Sequence, residues 1–425
     1  MATSSHLGRL DHLTFKGNLK ETRYGWLRLT PAYSVHLVAA VLDEDASAEA
    51  VVLDPFCGTG TTALVCAERG IACDTTDINP FLLWLTHAKT QPYASTDLDL
   101  FASAAERIAT VIRVRTDRPT WLPPIHQIEK WWDQESIYAL GLAMATIKQL
   151  ESVSIPSRTV DLLKVAFCRT MIEQANVCFG HQSMSFKKNG AVTPSLFSTK
   201  EKLVASWLGA VASIAASART PIAASPRALH CDARNLTATL AADRYTCVVT
   251  SPPYPNRMSY VRELRPYLYW LGYLRDGREA GELDWQAIGG TWGCATSNVA
   301  KWTPSGDQTV PFDGFNHILR DIAGHSPLLS RYVHKYFDDM VLHVAELRRV
   351  VKPGGTVHYI VGNSKFYDVL LPVEAIFSEM FRAAGFEGIN VRVVRKRTSK
   401  KELFEYIVSA RKPNHSPEPV RFSRE

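Results

Sequence analysis

Two stretches of the chain combine residue types and spacings that could do chemistry. GTGTTA at 58–63 stands between the apolar run AVVLD and the sequence LVCAERG, a succession of strand, glycine turn and helix. Its spacing fits G-x-G-x-x-A, in which the N–H groups of a helix start face a closely held ligand. Gly58 and Gly60 let the backbone come near that ligand. Asp77 ends the next strand, IACDTTD, where a carboxylate can accept hydrogen bonds from ribose hydroxyls. A tight turn followed by a capping acid is the bland alternative. The combination points to a cofactor of adenosine type, without separating NAD from S-adenosylmethionine. Asp54-Pro55-Phe56 narrows that choice. An acid before the glycines suits a cationic group and is poorly placed beside a pyrophosphate, and S-adenosylmethionine carries an ammonium and a sulfonium.

The second stretch is Ser251-Pro252-Pro253-Tyr254, which follows the apolar run YTCVV. Pro-Pro cannot donate to a sheet ladder, so the strand stops there. The carboxyl end of a strand is where open α/β sheets bind ligands. The Ser251 hydroxyl and the Pro252 carbonyl offer acceptors at that end, the prolines keep the turn rigid, and the Tyr254 ring offers a flat face for stacking. A rigid strand-end turn with no chemistry is the competing reading.

Together these stretches resemble the class I S-adenosylmethionine-dependent methyltransferases, specifically the DNA amino-methyltransferases. Their D-P-F-x-G-x-G-T turn stands here as DPFCGTGTT and their [DNS]-P-P-[YFW] signature as SPPY. The resemblance covers the sheet elements and not the segments between them. It implies cofactor contacts from Asp54, Pro55, Phe56, Gly58, Gly60, Thr61 and Asp77, and a catalytic turn formed by Ser251, Pro252, Pro253 and Tyr254. Thr30 and Pro31 fall where the family flanks the methionine end of the cofactor, and helix capping explains them equally well. Asp232 resembles the acid near the cofactor's adenine, with capping again almost as good a reading.

The resemblance implies direct displacement without a metal, on double-stranded DNA with a flipped-out target base. It also implies a restriction endonuclease as companion. Ser251 in the first position resembles the cytosine-N4 branch, whereas Asn or Asp is usual for adenine-N6. The cytosine-C5 branch is excluded on chemistry, since it needs a cysteine nucleophile next to proline at the fourth strand. An adenine-N6 enzyme, an RNA or protein-glutamine methyltransferase and, in a different class, an NAD-dependent oxidoreductase are the rival readings.

The elements that must hold these residues follow from patterning. Strand signals around 51–54, 72–77, 228–232 and 245–250 alternate with helical ones, and the pattern resumes after 330. This predicts an α/β fold with a doubly wound, mostly parallel, Rossmann-like sheet and largely helical insertions, closed by a C-terminal hairpin of GINVRVVRKR and ELFEYIVSA across TSKK. Residues 1–94 carry the cofactor motifs, 95–228 read as a helical insertion and candidate target-recognition segment, and 229–255 hold the catalytic strands. A second, irregular and aromatic-rich insertion spans 256–330, the rest of the catalytic domain 331–412, and a loose tail 413–425. WLPPIHQIEKWW, HQSMSFKKNG and YPNRMSYVRELRPYLYW mix cations with aromatics, suitable for phosphate and base contacts or equally for a buried core. RVVRKRTSKK is basic enough to touch phosphate, and a solvated hairpin explains it as well.

With 46% hydrophobic and 21% charged residues, the 425-residue chain can bury a sizeable core, and its formal charge of +6 leans towards polyanionic partners. Eight cysteines without a C-x-x-C pair suggest neither a zinc site nor a disulfide framework. With no signal-peptide core and no apolar run of membrane-spanning length, a cytoplasmic, prokaryotic protein is expected, nucleoid-associated when on DNA.

Overall fold

The computed structural model describes residues 13–14, 17–18, 22–29, 32–45, 47, 49–153, 155–178, 185–187, 198–304, 309–397 and 402–414. Among the described residues seven strands build one sheet: β1 (Val51–Asp54), β2 (Ala72–Asp77), β5 (Arg227–His230), β6 (Tyr245–Thr250), β7 (Val351–Gly362), β10 (Glu387–Lys396) and β11 (Phe404–Arg411). Two small ribbons lie outside it, β3 (Val177–Cys178) with β4 (Ser185–Phe186), and β8 (Ser364–Phe366) with β9 (Val369–Leu371). The sheet order is β10-β11-β7-β6-β1-β2-β5. All neighbours from β7 to β5 run parallel, and β11 runs antiparallel to both β7 and β10. This is the doubly wound, mostly parallel sheet with a C-terminal hairpin. TSKK, the expected hairpin turn, lies outside the described residues.

Strand order reverses at β1. The chain leaves β1 towards β2 and β5, then returns to β6 on the other side. A crevice opens at the strand carboxyl ends where connections diverge in this way. The two motifs end β1 and β6, so they flank that crevice.

Side-chain alternation fixes the layers. Val52, Cys247, Val249, Ile360 and Ile407 point to one face, where α1 (Val35–Asp45) and α2 (Thr61–Arg69) cover them. Leu53, Val248, Val357, Tyr359 and Val361 point to the other face, against α12 (Pro327–Val350) and α13 (Val373–Ala383). The Ser326 hydroxyl caps α12 by accepting from Leu329 N, with Pro327 at the first helical position.

The segment after α3 (Pro80–Thr90) supplies the four expected helices: α4 (Ser95–Val114), α5 (Gln134–Ser152), α6 (Ser157–Glu173) and α7 (Thr199–Ala218). They share one core with α3. Trp131 and Trp132 are 3% and 1% exposed within it, so WLPPIHQIEKWW takes the buried-core reading. Of HQSMSFKKNG, Ser185, Phe186 and Lys187 are the described residues.

The irregular stretch expected after 256 is instead helical: α8 (Tyr260–Trp270), α9 (Gly277–Gln286), α10 (Cys294–Lys301) and α11 (Phe315–His325). Pro266 inside α8 and the short lengths of α9 and α10 argue against helices in the sequence. Burial of Val261, Leu264, Tyr267, Leu268 and Trp270 against the bundle overrides the local cost of the proline. Arg23 joins the segments. Its buried guanidinium donates to the carbonyls of Lys89 (2.9 Å), Gln91 (2.5 Å), Ala218 (2.6 Å) and Thr220 (2.9 Å), at the ends of α3 and α7.

Candidate active site

A cavity of about 1340 Å³ opens at the carboxyl ends of β1, β2 and β6. That exceeds the usual volume for one small ligand, roughly 300–1,000 Å³. Pro55, Phe56, Gly58 and Asp77 line one part, the whole Ser251–Tyr254 turn another, and Asp232 a third. Among the described residues none of its lining comes from 95–228, whereas 256–263 and 283–288 contribute.

The glycine turn is shaped from beneath. Gly58 and Gly60 take φ values of 51° and 75°, and a Cβ on Gly60 would overlap Thr86 Oγ1. Glycine is therefore required there. Cys57 N donates to Thr76 O (2.8 Å), and the buried Lys89 Nζ donates to Thr59 O (3.0 Å). Burial lowers the Lys89 ammonium to about 8. Gly60 starts α2 without a side-chain cap, leaving N–H groups of the first turn free of one. Thr61 is buried at that start and does not line the cavity.

Asp77 sits at the cavity edge. Its Oδ1 accepts from Asn79 N (2.8 Å) and its Oδ2 from Gly58 N (3.2 Å). Burial pushes the carboxyl up to about 6, against these N–H donors, which favour the ionised form. Asp54 corrects the expectation. The carboxylate is fully buried and stands behind the cavity wall, so it is not open to a cationic ligand group. Its Oδ1 accepts from Thr250 Oγ1 (2.6 Å) and Phe56 N (3.1 Å), and its Oδ2 from the Tyr33 hydroxyl (3.1 Å). Tyr33 also meets the Thr62 hydroxyl. Burial raises Asp54 to about 7, opposed chiefly by the Thr250 hydrogen bond. Asp54 thus ties the end of β1 to the end of β6.

Phe56 packs edge-on against His343, with centroids 4.7 Å apart. His343 Nδ1 faces Ala233 O (2.8 Å) and must donate, so its Nε2 accepts from the Tyr359 hydroxyl (2.6 Å). Burial lowers His343 to about 4, which keeps the imidazole neutral. Asp232 caps the short 3-10 turn Ala233–Ala238 through Arg234 N (2.9 Å) and pairs with the Arg234 guanidinium (2.7 Å), itself bound to Asp339 (2.9 Å). Against the cost of burial, Arg234 holds Asp232 below the usual carboxylate range. Capping is realised here, and the residue still faces the cavity. Thr30 and Pro31 lie outside the described residues, between the cavity-lining Leu29 and Ala32.

The Pro-Pro turn is held on three sides. The Ser251 hydroxyl donates to Ile360 O (3.1 Å), which leaves its lone pairs as acceptors. The Tyr336 hydroxyl donates to Pro253 O (2.7 Å). The Tyr254 hydroxyl donates to Glu405 Oε1 (2.8 Å), and burial keeps that phenol well above its ordinary pKa. Arg397 places its guanidinium 5.1 Å from the centre of the Tyr254 ring. Glu405, Arg395, Arg397 and Asn363 line the cavity as well. Sequence reasoning missed Glu405 and Asn363, which carry no local motif; the basic run RVVRKR was the one visible signal for this side.

No family model matches the chain. Curated relatives span most of it. It is 21% identical to the type II methyltransferase M.BsoBI of Geobacillus stearothermophilus, over 93% of this chain and 85% of that protein. It is 24% identical to the type II methyltransferase M.MvaI of Kocuria varians, over 77% and 73%. M.AvaI of Nostoc sp. is 22% identical over 92% and 85%. Among solved structures, a proposed DNA modification methylase of Thermus thermophilus complexed with S-adenosyl-L-methionine aligns at TM-score 0.23 and 18% identity, over 45% of this chain and 54% of that one. An rRNA methyltransferase of Streptomyces viridochromogenes aligns at TM-score 0.28 and 10% identity, over 90% and 86%.

Sheet order, reversed strand, glycine turn and Pro-Pro turn, with these relatives, define a methyltransferase. The relatives that span most of the chain, at 21–24% identity, are type II methyltransferases. Among the described residues no group of three or more His, Cys, Asp or Glu could hold a metal, and no helix is long and apolar enough to cross a membrane.

Proposed function

We propose that the chain methylates the exocyclic N4 amine of cytosine at a specific site in duplex DNA, with the target base flipped into the cavity. One observation carries this reading: the SPPY turn and the glycine turn with Asp77 open on one cavity, large enough for donor and base together. S-adenosyl-L-methionine supplies an electrophilic sulfonium methyl when bound. Asp77 accepts the ribose hydroxyls, and the backbone at Phe56 and Gly58 borders the donor. Ser251, its own proton spent on Ile360 O, accepts one amine hydrogen while the Pro252 carbonyl accepts the other. The amine lone pair then attacks the methyl carbon, the carbon–sulfur bond breaks, and the surplus proton leaves to solvent. Positioning does most of the work.

The base assignment rests on serine at position 251. Buried Cys57 and Cys247 lie outside the turn, which supports amine over carbon attack. The relatives' type II designation supports a modification role, with a restriction endonuclease as companion and residues 256–330 reading the DNA beside the cavity. Incubating the protein with duplex DNA and digesting it to nucleosides for mass spectrometry tests the reading. N4-methylcytosine is expected. N6-methyladenine would retain the mechanism and overturn the base, whereas C5-methylcytosine, or methylation of RNA alone, would overturn the role given to the turn.

A further inference from the structure

We infer that Glu405 is a positioning residue for the methyl-transfer reaction: through the Tyr254 phenol it fixes the ring against which the target base stacks. This rests on the reading of SPPY as the base-binding turn. Tyr254 belongs to the turn after β6, yet its hydroxyl is held from β11, by Glu405 Oε1 at 2.8 Å. The carboxylate is only 7% exposed and would be costly to bury alone. Arg395 Nε satisfies its second oxygen at 2.7 Å. Charge-assisted bonds of this kind are shorter and stronger than neutral ones.

The ring is also confined from its side. Arg397, 5.1 Å from the ring centre, is anchored by donating to Asn363 O (2.9 Å). A Cβ on Gly362 would come within 2.9 Å of the Tyr254 ring and 2.6 Å of the Arg397 guanidinium, so β7 makes room for both by bearing none. The Asn363 side chain donates to Glu402 O (2.8 Å) and accepts from Phe404 N (2.8 Å), fastening the hairpin end to β7. Without Glu405 the Tyr254 hydroxyl would keep only the longer contact with Ser251 Oγ (3.5 Å). Holding the ring in one orientation before DNA arrives removes an entropic cost from base capture. A plain ion pair between Glu405 and Arg395 would support the sheet without involving the phenol.

A double-mutant cycle in the full chain separates these roles. The variants are Glu405→Gln, Tyr254→Phe and the pair together. Each is assayed for single-turnover methylation of duplex DNA, for donor binding, and for fluorescence of a base analogue at the target position. Glu405→Gln exchanges a charged acceptor for a neutral one of the same shape, and unchanged donor affinity checks that the fold is kept. It should slow turnover roughly fivefold, and Tyr254→Phe about tenfold. Donor affinity should stay at the wild-type value in both. The double variant should be no slower than Tyr254→Phe, and the analogue should lose stacking signal in all three, least in Glu405→Gln. A Glu405→Gln loss that persists in full on the Tyr254→Phe background, or wild-type turnover and fluorescence in Glu405→Gln, overturns the inference. Wild-type protein that neither methylates a base amine nor shifts the analogue's fluorescence overturns the base-binding reading itself, and the inference with it.

Discussion

Donor binding should weaken about tenfold between pH 7 and pH 5, through Asp77. Ribose hydroxyls donate, so they need the ionised carboxylate, and burial raises that group to about 6 in the free protein. At pH 7 about nine-tenths of the molecules are ionised there, and at pH 5 about one-tenth. If the ionised form alone accepts the ribose, the apparent Kd rises by about tenfold, near 1.4 kcal/mol, over that interval. The sign is fixed: affinity is full above the folded pKa and falls as pH drops through it. Asp77→Asn keeps the volume and cannot titrate. It should bind the donor more weakly at pH 7 by about 1–3 kcal/mol, the value of hydrogen bonds to a charged group, and should be flat between pH 7 and 5. Asp54, raised to about 7, titrates in the same region but does not line the cavity, so any slope left in Asp77→Asn measures its contribution. Calorimetric titration with S-adenosyl-L-methionine at several pH values reads both quantities. A flat wild-type profile, or one equally steep in Asp77→Asn, would refute the reasoning.

Two further outcomes follow from the same geometry. Gly60→Ala drives a Cβ into Thr86 Oγ1 on a backbone at φ 75°, and should cost about 1–3 kcal/mol in thermal unfolding together with donor affinity; an unchanged melting temperature would count against it. Duplex binding should fall steeply with rising salt, as phosphate contacts require, with a shallower slope when Arg257 and Arg262 at the cavity are replaced by Gln; an unaltered slope removes those residues from the DNA surface.

The sheet was legible because β1, β2, β6 and β7 each carry a buried run closed by a turn signal, and because the two motifs punctuate β1 and β6. The four helices from Ser95 to Ala218 were legible by their period. The helices after 256 were not. Pro266 and the short lengths argue against helices there, and burial of α8 against the bundle and of α11 against α12 stabilises them. Within the site, Gly58, Asp77 and the SPPY residues could be placed from local context, because each ends a strand or begins a helix. Asp54 was located correctly at the strand end, but its side chain turns inward, a direction set by Thr250 and Tyr33 from other segments. Glu405 and Asn363 escaped altogether, since their partners on the Pro-Pro turn and the hairpin are fixed only by strand order.

That inward turn makes Asp54 the link between the two halves of the site, and the link has its own signature. The Thr250 hydroxyl, at 2.6 Å, is the strongest of the hydrogen bonds opposing the rise of the Asp54 carboxyl to about 7. Thr250→Val keeps the shape and removes the donor, leaving a buried carboxylate short of one partner, at a cost of about 1–3 kcal/mol when ionised. When Asp54 is protonated the missing donor matters less. The difference in unfolding free energy between wild type and Thr250→Val should therefore be small at pH 5 and grow as pH rises through about 7. Asp54 itself follows the same sign: a raised folded pKa stabilises at low pH, and that contribution is lost as pH rises through about 7. Because the bond spans β1 and β6, Thr250→Val should also disturb the glycine turn and the SPPY turn together, lowering donor affinity and turnover in one variant. A stability difference that is the same at pH 5 and pH 8 would mean that Asp54 is not the group Thr250 serves, and that the two motifs are joined some other way.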